Sequence, residues 1–140
     1  MKQTILPTQP DAKSPAGADI RFIMDGPTGN MIHSTVSAGQ TNRATVHATV
    51  SEFWHILDGQ GEIWRRSGDE EYITSLTKGV SIDIPVDTAF SIGMLGTNPC
   101  GSFAYLCPRG RATMRPQLLK AHGRPHYDAA WRCPSDHPST

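Results

Sequence analysis

His47 and Glu52, in the arrangement Thr45-x-His47-x4-Glu52, are the residues here best suited to chemistry. An imidazole exchanges its proton near neutral pH. A carboxylate beside it orients the ring and makes it a better base. Such a pair can abstract a proton from a small substrate, and so serve isomerisation, elimination or cyclisation. The same two groups are also candidate metal ligands, with His33 a third if it faces the same way. Iron, manganese, nickel or zinc needs three or four N/O donors in fixed geometry, and a neutral Thr45 is a poor one. A plainer alternative is a buried His–Glu hydrogen bond that only satisfies two polar groups. Arg43, two residues before Thr45, would suit an anionic ligand group if it shares that face. Otherwise it is a solvated loop arginine.

The elements that must position these groups are strands. Gly and Pro, 13 and 11 of the 140 residues, recur at short intervals without long helical periodicity. Between them lie runs rich in β-branched and aromatic residues, which predicts an all-β barrel or sandwich. The candidate strands are Ile20–Met24, Met31–Val36, Ala44–Ala48, Phe53–Leu57, Gly61–Arg66, Glu71–Leu76, Val80–Ile84, Ala89–Met94 and Ser102–Cys107. Side chains alternate across a strand, so Glu52, Trp54 and Ile56 share one face while Phe53, His55 and Leu57 share the other. If His47 faces inward, Thr45 does too and Val46 faces out. Phe90, Ile92 and Met94 share a side and form an apolar wall. An apolar wall disfavours charge on Glu52 unless it pairs with His47. Arg66 shares the face of Trp64, where it can stack, which leaves Arg65 for the solvated or partner-facing surface.

The spacings Gly39-x5-Thr45-x-His47-x4-Glu52-x6-Gly59 and Gly79-x5-Pro85-x-Asp87-x2-Phe90-x3-Met94 resemble the two signature motifs of the cupin superfamily. Those read Gly-x5-His-x-His-x3-4-Glu-x6-Gly and Gly-x5-Pro-x-Gly-x2-His-x3-Asn. Thr45 stands at the first His position, Phe90 at the last, and Asp87 at the Gly of the second motif. The run Glu52-Phe53-Trp54-His55-Ile56-Leu57 with Glu62-Ile63-Trp64-Arg65, and Ile84-Pro85 with Thr88-Ala89-Phe90, are similar to a group of small single-domain bacterial cupins. Phe90 matches that group. The resemblance implies an antiparallel, jelly-roll-like β-barrel that holds a ligand, often beside a metal, with Glu52 facing inward. It also implies homodimers formed through edge strands and swapped N-terminal arms.

The rest of the chain narrows the function classes. Net charge is zero with both signs intermixed, which argues against nucleic acid and against a polybasic membrane contact. No apolar run is long enough for a transmembrane helix, and residues 1–18 lack the apolar core of a signal peptide, so a cytoplasmic protein is expected. Three cysteines with no paired spacing read as free thiols. The domain reading is an extended arm over residues 1–18, a barrel over 19–108 and an irregular tail over 109–140. That tail carries His122-x3-His126-x6-Cys133-x3-His137, which matches no standard zinc finger, and Trp131, an apolar anchor.

The sequence therefore predicts a small-molecule-binding protein. One reading is a metal-independent lyase, isomerase or cyclase acting on a small carbonyl-bearing metabolite. His47 and Glu52 would be catalytic, and His33, Arg43, Thr45, Trp54, Phe90, Ile92 and Met94 would line the pocket. The alternative is a non-catalytic ligand-binding or sensor protein. No cofactor is expected. Were a divalent metal present, His47, Glu52 and His33 would hold it.

Overall fold

A computed structural model of the chain describes residues 1–14 and 16–95 in full and residues 101–108 as backbone. The described residues form ten strands: β1 (Ala12–Lys13), β2 (Asp19–Gly26), β3 (Gly29–Val36), β4 (Thr45–Val46), β5 (Glu52–Asp58), β6 (Gln60–Ser67), β7 (Glu70–Thr77), β8 (Ser81–Ile84), β9 (Ala89–Met94) and β10 (Gly101–Pro108). Nine of them correspond to the nine strands read from the sequence. None of the described residues is helical, so no helix there is long and apolar enough to cross a membrane. The tail, Cys100 and Cys133 lie outside the described residues.

The strands pair antiparallel in two sheets, ordered β1-β2-β3-β10-β5-β8 and β4-β9-β6-β7. A single core joins them: Ile32, Val36, Trp54, Ile56 and Ile84 from the first sheet meet Ile63, Leu76, Phe90, Ile92 and Met94 from the second. Ile32, Ile63 and Ile84 are wholly buried, each contributing about 2 kcal/mol of transfer free energy. The jelly-roll-like architecture is thus present as a sandwich, and no hydrogen-bonded ladder among the described residues closes it into a continuous barrel.

Local sequence explains the strand ends. β5 and β6 are joined through Gly59 alone, at φ 90°, a conformation open to glycine at little cost. Gly61 needs its missing side chain for another reason. A Cβ there would stand 2.5 Å from the Gly93 carbonyl oxygen on the paired β9.

The N-terminal arm is partly built into the first sheet. Ala12 and Lys13 pair with Ile20 and Asp19, the Phe22 N–H donates to Asp11 Oδ2 at 2.9 Å, and Arg21 donates to the Thr8 carbonyl. This short β1 has no signal in its own residues. Its Lys13–Asp19 ion pair at 2.6 Å is exposed, and β2 supplies the pairing.

Candidate functional site

His47 is delivered to its place by an irregular edge rather than by a full strand. β4 is two residues long, not the five expected. The chain before it nevertheless runs along β9, through the Gly39 N–H to Met94 carbonyl, Met94 N–H to Gln40 carbonyl and Asn42 N–H to Ile92 carbonyl bonds. Thr45 and Val46 then pair with Phe90 and Ala89. Beyond β4 the Asp87 N–H donates to the His47 carbonyl at 2.8 Å. Asp87, at the position of the motif glycine, has φ 58°. Asp is among the few residues that tolerate this left-handed region, so the turn survives the substitution.

Glu52 opens β5 opposite Ile84, with Trp54 two residues on. Their shared face is the core face, as alternation requires. Glu52 is 2% exposed, and each of its carboxylate oxygens is engaged. His47 Nε2 lies 3.2 Å from Oε1 across the two sheets. Trp54 Nε1 donates to Oε2 at 2.7 Å. Burial of a carboxylate is tolerable because both contacts are made. The Trp54 and Phe90 rings meet edge to face at 5.5 Å, and Phe90 lies 5.4 Å from the His47 ring. His47, Glu52, Trp54 and Phe90 thus form one buried cluster spanning both sheets. Ile92 and Met94 continue the same face of β9 within the core.

His33 lies elsewhere, which corrects its assignment to the pocket and to a metal-ligand set. It pairs with Arg21 on β2 and with Ala104 on β10, and Ala104 also pairs with His55. That row belongs to the outer face of the first sheet, whereas Ile32 and Trp54, both paired with Tyr105, face the core. His33 is nonetheless 7% exposed. Burial, and then the Arg21 charge, push its pKa below the ordinary histidine value of 6.5.

Arg43 is exposed ahead of β4, and Thr45 is half-buried with its hydroxyl 3.4 Å from the Arg43 carbonyl. Val46, expected to face out, is buried. Arg65, expected at the surface, shares the core-side parity of Gly61 and Ile63 and pairs with Phe90. Its guanidinium bridges the seam between the sheets, donating to the Asp83 carbonyl at 2.7 Å and to Thr74 Oγ1 at 3.0 Å. Arg66 stacks on Trp64, 5.7 Å from the ring centroid.

Two contributors escaped the sequence reading. The Trp54 indole N–H is a carboxylate partner and not merely a wall. Thr88 is 3% exposed, and its hydroxyl has no hydrogen-bond partner among the described residues. Extending the alternation of Phe90, Ile92 and Met94 one step back finds it.

Among the described residues this cluster offers a divalent ion two side-chain donors, His47 and Glu52, fewer than such an ion needs. His47 Nε2 and Glu52 Oε1 face each other, Phe90 fills the place of a second-motif histidine, and no three His, Cys, Asp or Glu among the described residues stand close enough to hold a metal.

Among solved structures, the capsular polysaccharide assembling protein CapF from Staphylococcus aureus matches with TM-score 0.66 and 17% identity, over 86% of this chain and 35% of CapF. The cupin domain of Cnp3 from Schizosaccharomyces pombe matches with TM-score 0.59 and 14% identity, over 66% of this chain and 65% of that one. BH2720 from Bacillus halodurans matches with TM-score 0.58 and 15% identity, over 69% and 75%. This chain therefore spans about a third of CapF. No protein-family model and no curated protein matches the sequence. At these identities the likeness establishes the fold, and the fold is that of cupins.

Proposed function

We propose that this cupin-fold chain is an acid–base enzyme working without a metal ion, of lyase, isomerase or cyclase type, on a small carbonyl-bearing metabolite. The observation that carries the reading is the buried 3.2 Å contact of His47 Nε2 with Glu52 Oε1. A carboxylate accepts the Nε2–H, so Nδ1 becomes the basic nitrogen of the neutral ring. His47 takes a proton from the carbon beside the carbonyl, and Glu52 steadies the imidazolium that forms. The proton then returns to a different carbon or to a leaving group. Trp54 fixes the plane of the carboxylate, while Phe90 and Trp54 offer the apolar part of the substrate a surface. Arg43, exposed before β4, would meet an anionic group at the entrance.

The reading is tested by incubating the protein with the small-molecule fraction of a cell extract and following each metabolite by mass spectrometry. His47→Ala should slow the conversion by about a hundredfold or more, the usual scale of general acid–base catalysis. Unchanged turnover in that variant would sink the proposal. Metal analysis of the purified protein should give less than about a tenth of an ion per chain, and a stoichiometric ion would overturn metal independence.

A second reading, a non-catalytic ligand-binding or sensor protein, is favoured by one feature. Both oxygens of Glu52 are already engaged within the protein. It expects a retained metabolite that is never converted. A cytoplasmic homodimer completes the proposal. It is supported by β7, an eight-residue strand at the outer end of its sheet that offers an edge for pairing. Light scattering of the purified protein reads the oligomeric state, and a monomer at micromolar concentration counts against it.

A further inference from the structure

A local cost falls near His47, where Thr88 buries a hydroxyl that meets no partner among the described residues. Buried polar groups are nearly always hydrogen-bonded, and one left unmade is costly. Valine has the same shape without that cost. A buried group left unsatisfied calls for an explanation, and a role toward a ligand is one. The position supports the same view. Thr88 immediately precedes β9 and has the parity of Phe90, whose ring lies 5.4 Å from that of His47. The β4–β9 ladder ends with Val46 paired to Ala89, one residue short of His47 on one side and of Thr88 on the other. The Asp87 N–H bond to the His47 carbonyl ties the two segments there.

Resting on the acid–base reading above, we propose that Thr88 Oγ1 holds the oxygen of the ligand whose proton His47 exchanges. A hydroxyl both donates and accepts. It can receive an alcohol or enol, and it can donate to a carbonyl oxygen as negative charge develops on it. The contact selects a neutral, oxygen-bearing small molecule over an apolar molecule of the same shape. A site that hydrogen-bonds a ligand oxygen discriminates strongly against its absence, because the site is then left unpaired.

Thr88→Val and Thr88→Ser separate this role from a structural one. The first measurement is the thermal midpoint of the ligand-free protein. The second is retention and conversion of metabolites from the small-molecule fraction of a cell extract, read by mass spectrometry. Thr88→Val should melt at or above the wild-type temperature and retain at least about tenfold less ligand. Thr88→Ser should retain it. A lower midpoint for Thr88→Val would overturn the proposal, since it would show that the hydroxyl is satisfied inside the free protein. Wild-type retention by Thr88→Val, or no retention by the wild-type protein, would also overturn it. Loss of ligand in Thr88→Val alongside full conversion by His47→Ala would uphold the contact and reject the acid–base reading.

Discussion

Replacing Glu52 by Gln should invert the tautomer of His47 while leaving the fold nearly untouched. The indole N–H of Trp54, 2.7 Å from Oε2, can only donate, so the Gln carbonyl must occupy that side and its NH2 must turn toward His47. His47 Nε2 then has to accept, and the neutral ring carries its proton on Nδ1. Both hydrogen bonds persist as neutral ones, roughly half as strong as their charge-assisted forms, so the cost should be about 1 kcal/mol. His47→Ala differs, because it leaves Glu52 Oε1 without the 3.2 Å donor. A hydrogen bond to a charged group is worth about 2 kcal/mol. Loss of the tilted contact with Phe90 adds about 1 kcal/mol, for a total near 3 kcal/mol. A double-mutant cycle over the two positions should give a coupling of about 1 kcal/mol. Urea denaturation measures the stabilities, and nitrogen NMR of the imidazole identifies the protonated nitrogen. In the wild type it should be Nε2, and in Glu52→Gln it should be Nδ1. The same tautomer in both proteins, or a His47→Ala cost below about 0.5 kcal/mol, would refute the reasoning.

The remaining predictions concern the turn and the outer face. Asp87→Ala should lower stability by about 1 kcal/mol, because a Cβ-bearing residue without a polar side chain is poorly tolerated at φ 58°. Asp87→Gly should be neutral to within a few tenths of a kcal/mol, and equal urea midpoints for the two variants would contradict the assigned conformation. His33, whose pKa is lowered by burial and Arg21, binds its proton more readily in the unfolded chain than in the folded one. Its neutral form supports the fold fully above pH 6.5, and that support is lost as the pH falls below this value toward the folded pKa. His33→Gln should therefore flatten part of the acid-side decline in thermal midpoint. Parallel profiles for variant and wild type would show that His33 does not titrate differently on folding.

What each level of description decided can be followed residue by residue. Strand positions were legible because alternation and Gly/Pro punctuation are local. They placed Glu52, Trp54 and Ile56 on one face of β5 and Phe90, Ile92 and Met94 on one face of β9, and both sets line the core. The motif spacing brought His47 and Glu52 under suspicion together. The side taken by His33 was not legible, because β3 is buried at Ile32, His33 and Ser34 alike. Only its register with β2 and β10 sorts them. Arg65 followed the inward parity of Ile63 against the usual preference of a charge for solvent. The seam between the sheets offers it a carbonyl and a hydroxyl that no local pattern reveals. Alternation is a property of the backbone at each residue, so the sequence by itself determined nine of the ten described strands in outline and the shared faces of β5 and β9. Which face is core, who meets across the two sheets, and whether a buried hydroxyl finds a partner depend on contacts between distant segments. The meeting of His47, Glu52 and Trp54, and the lack of a partner for the Thr88 hydroxyl among the described residues, were therefore decided only by the tertiary structure.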